Sequence, residues 1–261
     1  MASLFVAAQE CRPIENLEKV ADKRLIFVGE LHGTKESPQF VSDLTCGLLH
    51  MKKQVVLAVE MSSDFQPDLQ SAINAPSEQQ ALAELEKLRF WDATMQDGKR
   101  SLAYMKLLRT AWSWKRQFPD FDVAAIDLSG SSFPSARAEF MAGEIRKILN
   151  RDRQVVVVAF TGNIHARRQK GTPWNKAFVP AASLLNDVEM VSLNMDYTAG
   201  TAWNCGGRGC GINPVSDLPV TGKSTKPSIQ ISQADPYYDG VYQLGEVSAS
   251  PPVRQSPTAS K

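Results

Sequence analysis

Leu25-Ile26-Phe27-Val28-Gly29-Glu30-Leu31-His32 is the stretch that decides the fold class. Four apolar residues run unbroken into a glycine, an acid and a histidine. A strand with one wet face alternates apolar and polar residues, whereas a continuously apolar strand is buried on both faces, as in parallel sheets covered by helices. The same design recurs along the chain. Val55-Val56-Leu57-Ala58-Val59 ends at Glu60, Val123-Ala124-Ala125-Ile126 ends at Asp127, and Val155-Val156-Val157-Val158-Ala159-Phe160 runs into Thr161-Gly162. Met190-Val191-Ser192-Leu193 is a weaker fifth run.

Helical spacing fills the gaps, with helices predicted at about 38–51, 77–88, 101–117 and 135–150. The last is the clearest: Ser135 is placed to cap it, and Phe140, Met141, Ile145, Ile148 and Leu149 recur on one face. Strands alternating with helices predict an α/β fold, with a central, mainly parallel sheet, helices on both faces and a site at the carboxyl ends of the strands. We expect an N-terminal segment at 1–23, a single α/β domain at 24–247 and a flexible tail at 248–261, where Ser, Pro and charge leave little apolar surface.

Composition narrows the function. Lys and Arg number 29 against 28 Asp and Glu, a formal charge of +1 that gives no field to gather nucleic acid. No apolar run approaches the ~20 residues of a membrane-spanning helix. The start, Met1 to Ala8, is apolar and ends in small residues, as the remnant of an export signal would. Four cysteines form an even set, and Cys205-Gly-Gly-Arg-Gly-Cys210 is a loop one disulfide could close, leaving Cys11 and Cys46, whose pairing sequence does not determine. These features favour a periplasmic or secreted protein, with a cytoplasmic one left open.

The chemistry gathers at strand ends. Only three histidines occur, and two of them, His32 and His165, close Gly-x-x-His turns after strands. With Glu30 and Glu60 they form the candidate catalytic set, in which a carboxylate holds an imidazole in one tautomer and makes it a general base near neutral pH. The same four could instead ligate a divalent metal such as zinc or manganese. Asp127, Arg137 and Arg100 are candidate substrate-binding residues, Arg100 from the turn Asp97-Gly98-Lys99-Arg100, and Trp91 and Trp174 could line a pocket. His50, late in a helix, reads as a C-terminal cation. No Gly-x-Ser-x-Gly elbow and no phosphate-binding Gly-x-x-x-x-Gly-Lys loop is present, which argues against a serine hydrolase and a nucleotide-triphosphate enzyme.

In order, Gly29-Glu30-Leu31-His32-Gly33, Glu60, Arg137-Ala138-Glu139-Phe140-Met141-Ala142 and Gly162-Asn163-Ile164-His165-Ala166-Arg167 resemble the erythromycin esterase, ChaN-like haem-binding and Tiki/TraB superfamily. The likeness spans about residues 24–196. It implies that His32 activates water, that Glu30, Glu60 and His165 position it or bind substrate, and that Arg137 matches a motif arginine of the esterase branch. Its members include macrolide esterases, proteins described as metal-dependent proteases, and haem binders. A hydrolase of ester or amide bonds acting on a small molecule or peptide is the first expectation. An exported, non-catalytic binder of haem or another hydrophobic ligand is the second, with Tyr197, Tyr237, Tyr238 and Tyr242 as available axial ligands.

Overall fold

In the computed structural model, residues 11–93, 96–129, 134–206, 209–215, 226–232 and 234–254 are described. The five expected apolar runs are the strands β1 (Leu25–Glu30), β2 (Gln54–Ser62), β3 (Asp122–Asp127), β4 (Val155–Gly162) and β5 (Met190–Asp196). Each is parallel to its neighbours in the order β3-β2-β4-β1-β5, and the shorter β9 (Gly240–Gln243) and β8 (Ser228–Ile231) extend the sheet to seven strands. Within this sheet, among the described residues, only the β8/β9 pair is antiparallel. A second sheet, in the order β10-β6-β7, joins β10 (Glu246–Val247), β6 (Ala199–Gly206) and β7 (Gly209–Pro214).

Alternate side chains of the strands enter two separate cores, because successive residues point to opposite faces. Ile26, Val28, Leu57, Val59 and Val158 meet the helices α1 (Glu36–His50), α2 (Gln66–Ile73), α3 (Glu78–Lys87) and α4 (Leu102–Gln117) on one face. Leu25, Phe27, Ala58, Val157 and Ala159 meet α5 (Pro134–Arg151) on the other. Complete burial of such a side chain stabilises the fold by roughly 1.5–3 kcal/mol. Ser77 and Ser101 cap α3 and α4, accepting from the amides of Gln80 and Tyr104. Ser135 does not begin α5 as expected; the helix starts one residue earlier, at Pro134, whose missing N–H costs nothing in a first turn. Helix α2 also went unexpected.

The connections after β1 and β2 leave toward the first face and those after β3 and β4 toward the second, so the carboxyl ends of the strands bound a crevice. Two later segments brace its rim. In the β6–β7 hairpin, the amide of Trp203 donates to the Gly33 carbonyl at 2.9 Å. Gly33 and Gly98 both have positive φ, 88° and 91°, and side chains there would strike the Trp203 backbone, so both positions demand glycine. The second brace corrects the expected tail. Lys35 and Leu102 donate to the carbonyls of Ser248 and Pro251, Ser250 donates to Gly33, and Ser250 is 1% exposed. The chain is thus packed as far as Arg254, because backbone pairing orders a stretch that its scant apolar surface could not; 255–261 lie outside the described residues. At the other end Ile14 and Val20 are buried in the first core, while the export-signal reading of Met1 to Ala8 lies outside the described residues.

Candidate active site

Glu30 is the last residue of β1 and pairs in register with Gly162, the last of β4. Glu60 lies in β2 where the register against β3 shifts between Val59 and Ser62, an irregularity of the kind that re-aims a side chain near a site. Asp127 closes β3, and His165 sits in the short helix α6 (Asn163–Ala166) that follows β4. Four adjacent strands therefore deliver the expected groups to one edge.

Glu30 Oε1 and His32 Nδ1 are 2.7 Å apart, and the other ring nitrogen, Nε2, lies 3.8 Å from Glu60 Oε2. Glu30 is 3% exposed, whereas the His32 side chain keeps 22% of its surface open. Glu60 Oε2 accepts the Gly162 amide at 2.6 Å, and its Oε1 accepts from Lys99 Nζ at 2.9 Å and Arg137 Nη2 at 3.0 Å. Arg137 also grips both oxygens of Asp127, at 2.9 and 2.6 Å, in the bidentate fork that suits guanidinium and carboxylate. That partner accounts for a cation in the first turn of α5, where the helix dipole disfavours one.

Electrostatics set distinct protonation states. Burial, the largest influence on His32, pushes its pKa down, but the charge and hydrogen bond of Glu30 and the charge of Glu60 outweigh it and leave it raised. Burial also raises Glu30, with His32 opposing. For Glu60 burial would do the same, yet Lys99, His32, His165 and Arg137 together hold its carboxyl well below the usual range. His165 differs: burial dominates and lowers its pKa, so the ring is neutral at pH 7. It is 3% exposed, its ring meets Phe178 edge-on, and its Nδ1 has no hydrogen-bond partner among the described residues.

Arg100 borders a cavity of about 330 Å³ beside Glu60 and Asp127, where its Nε donates to the Phe90 carbonyl at 2.7 Å and its guanidinium lies over the Phe90 ring. The neighbouring Lys99 is the buried cation of the site. No local pattern separates the two, which follow the same turn at Gly98, where φ is positive. Trp91 is core, with Nε1 donating to the Leu85 carbonyl, and Trp174 is 75% exposed.

The Glu30, His32, Glu60 and His165 set does not fit a divalent metal. Both Glu60 oxygens already accept from cations and an amide, and among the described residues these four do not converge as a ligand cluster. Haem fits no better. Tyr242 is fully buried and bonded to Ser37 and Gly29, and the Tyr238 hydroxyl donates to the Asn163 carbonyl. Tyr197 is buried, and the Tyr237 ring is covered by the Arg167 guanidinium. A larger cavity of about 500 Å³, floored by Phe40, Leu107 and Leu244, is lined by no His, Tyr, Cys or Met.

Gly162 keeps the centre open. A Cβ there would stand 3.0 Å from His32 Nε2 and 3.5 Å from Glu60 Oε2, while its φ of −56° suits any residue. Gly162→Ala should therefore displace His32 while leaving the melting temperature within a few degrees of wild type. The His32 imidazole resonances beside a thermal melt check this, and unshifted resonances would show that His32 has room to spare.

No family's sequence model matches the chain, and no curated protein matches it in sequence. Solved structures do. A mutant of the erythromycin esterase EreC in its open conformation superposes with a TM-score of 0.64 at 11% identity, covering 92% of this chain and 95% of that one. A succinoglycan biosynthesis protein gives 0.56 at 11%, covering 90% and 91%, and a Bacillus cereus protein gives 0.54 at 11%, covering 89% and 90%. At such identities the likeness is one of fold. The α/β chain thus shares its fold with the erythromycin esterase EreC, as the four motifs led us to expect.

Proposed function

We propose that the protein is a hydrolase of ester or amide bonds in which His32 is the general base. The observation that carries this reading is the Glu30–His32 pair. A buried carboxylate 2.7 Å from Nδ1, on a ring that is part open, leaves Nε2 as the atom that takes a proton from water. Nδ1 then donates to Glu30, which stabilises the imidazolium as it forms. Glu60, kept ionised, lies on the Nε2 side and orients the ring and its water. Neutral His165, whose Nδ1 has no partner among the described residues, offers a hydrogen bond to the substrate or to the oxygen that gains charge. Arg137, Asp127 and Lys99 hold Glu60 in place, and the adjoining cavity admits a small-molecule or short peptide group.

Two closed disulfides suit an oxidising compartment, so we place the protein outside the reducing cytoplasm. Among the described residues no helix is long and apolar enough to cross a membrane.

The test is a panel of aryl esters and peptides assayed across pH. Turnover should rise with pH as His32 loses its proton, with a midpoint above the ordinary value of 6.5 because Glu30 and Glu60 favour the charged ring. In Glu30→Gln that support is lost while burial still pushes downward, so the midpoint should move to lower pH and the plateau should fall by up to about 10²-fold. Failure of every ester and amide to turn over would reject the proposal. A midpoint indifferent to Glu30→Gln would remove His32 as the titrating base.

A further inference from the structure

Away from the crevice, α1 presents Cys46 and His50 one helical turn apart, and the N-terminal segment lays Cys11 across them. Cys11 and Cys46 are joined in a disulfide with a Cα–Cα distance of 5.6 Å. His50 Nδ1 lies 3.3 Å from Cys11 Sγ and 3.9 Å from Cys46 Sγ, and all three atoms fall within 4.8 Å of one another. The His50 ring is exposed yet oriented, edge-on to Phe118 at 5.6 Å. Cys205 and Cys210, at the far end of the chain, have no such imidazole within reach among the described residues.

We infer that this corner is a redox-gated site for a soft divalent cation such as zinc: oxidised, Cys11 and Cys46 form the disulfide; reduced, they and His50 Nδ1 become three ligands of one ion. The stoichiometry balances. A dithiol or phosphine reductant supplies two electrons and, with two protons from solvent or from itself, gives two thiols. The cation then displaces both thiol protons to form two metal–thiolate bonds, and neutral His50 coordinates through Nδ1, carrying its own proton on Nε2. Metal–sulfur distances of about 2.3 Å at tetrahedral angles put two thiolates about 3.8 Å apart and a sulfur about 3.5 Å from an imidazole nitrogen. The present separations from Nδ1 already match, so the sulfurs need only part from each other. Nδ1, which donates its proton to the Cys46 carbonyl at 3.0 Å, must also give that proton to solvent while Nε2 takes one up, so that the neutral ring turns a lone pair to the cation. The exposed edge leaves the fourth position to water.

Reduction should not scatter the ligands. The Arg12 amide donates to Asp43, the Glu15 amide donates to the Pro227 carbonyl while the Glu15 carbonyl accepts from the Ile229 amide of β8, and Ile14 is buried, all independently of the disulfide. Cys46 and His50 share one helix. The reduced site is therefore held largely assembled, which is what favours metal capture over an open dithiol.

The experiment titrates the full chain, reduced with a phosphine, with Co²⁺ and then Zn²⁺. One equivalent of Co²⁺ should give thiolate-to-metal charge-transfer absorption together with tetrahedral visible bands, both bleached by Zn²⁺. The oxidised chain should give neither. Cys205→Ser/Cys210→Ser should keep the bands, Cys11→Ser and Cys46→Ser should each lose them, and His50→Ala should weaken binding more than about tenfold. A thermal melt of the reduced chain provides a second readout: Zn²⁺ should raise its melting temperature but leave that of reduced Cys11→Ser unmoved. Absence of the bands in reduced wild type, their survival in Cys46→Ser, or a reduced chain unfolded with and without Zn²⁺ would each overturn the assignment.

Discussion

Replacing His32 by Ala should lower kcat/KM by about 10²–10⁴-fold, the span that one general base contributes, in a chain that still folds. The side chain is part open, so its removal leaves little cavity. What it strands is Glu30, buried and without its 2.7 Å partner. Burial already raises the Glu30 pKa, so in the variant the carboxyl takes up a proton rather than remaining a naked charge. The resulting loss of about 1–3 kcal/mol corresponds to a drop in melting temperature of several degrees for a chain of this size. Steady-state kinetics with a parallel melt separate the two effects. Wild-type turnover in the variant would eliminate His32 as the base, and outright unfolding would show that its role is structural.

Lys99→Met should strongly destabilise the fold. Lys99 bridges two buried carboxylates, at 2.9 Å to Glu60 and 3.7 Å to Asp127, and methionine of similar length removes only the charge. Breaking a buried ion pair from one side costs about 3–5 kcal/mol because the surviving charge stays desolvated, which lowers the melting temperature by on the order of 10 °C. The sign with pH follows from Glu60. Its folded pKa is depressed below 4.5, so its contribution is fully present above 4.5 and is lost as pH falls through the folded value. The gap between wild type and variant should therefore be widest near neutrality and close in acid. Melts from pH 3 to 7 decide it, and a gap that widened in acid would contradict the assigned ion pair.

The first four central strands were legible because burial on both faces leaves no polar residue inside the runs, and β5, interrupted by Ser192, was fainter. For the same reason the polar residues that end those runs marked one sheet edge, and Glu30, His32, Glu60, Asp127, Arg137 and His165 meet there. The second sheet was not legible. Strand β6 and strand β7 are glycine-bearing and half exposed, and their order comes from pairing with each other and with Gly33 rather than from a buried face. Lys99 was hidden for a related reason, since an Asp-Gly turn with two cations looks the same whichever one points inward. The 248–254 strap has few apolar residues, and its placement rests on hydrogen bonds that no periodicity announces.

The Trp203 backbone wedged against Gly33 and Gly98, with Ser250 closing behind, has a consequence for how the crevice comes into being during synthesis. Every residue assigned to the chemistry precedes Ala166, and β1 to β5 are complete by Asp196. Yet the loops that aim His32 and Lys99 are braced by residues 203 and 248–254, so a nascent chain holds all of its reactive groups well before it holds them in position. On the proposed mechanism, catalytic competence would then arrive late, with residues 203 and 248–254, well after the five parallel strands that carry the site.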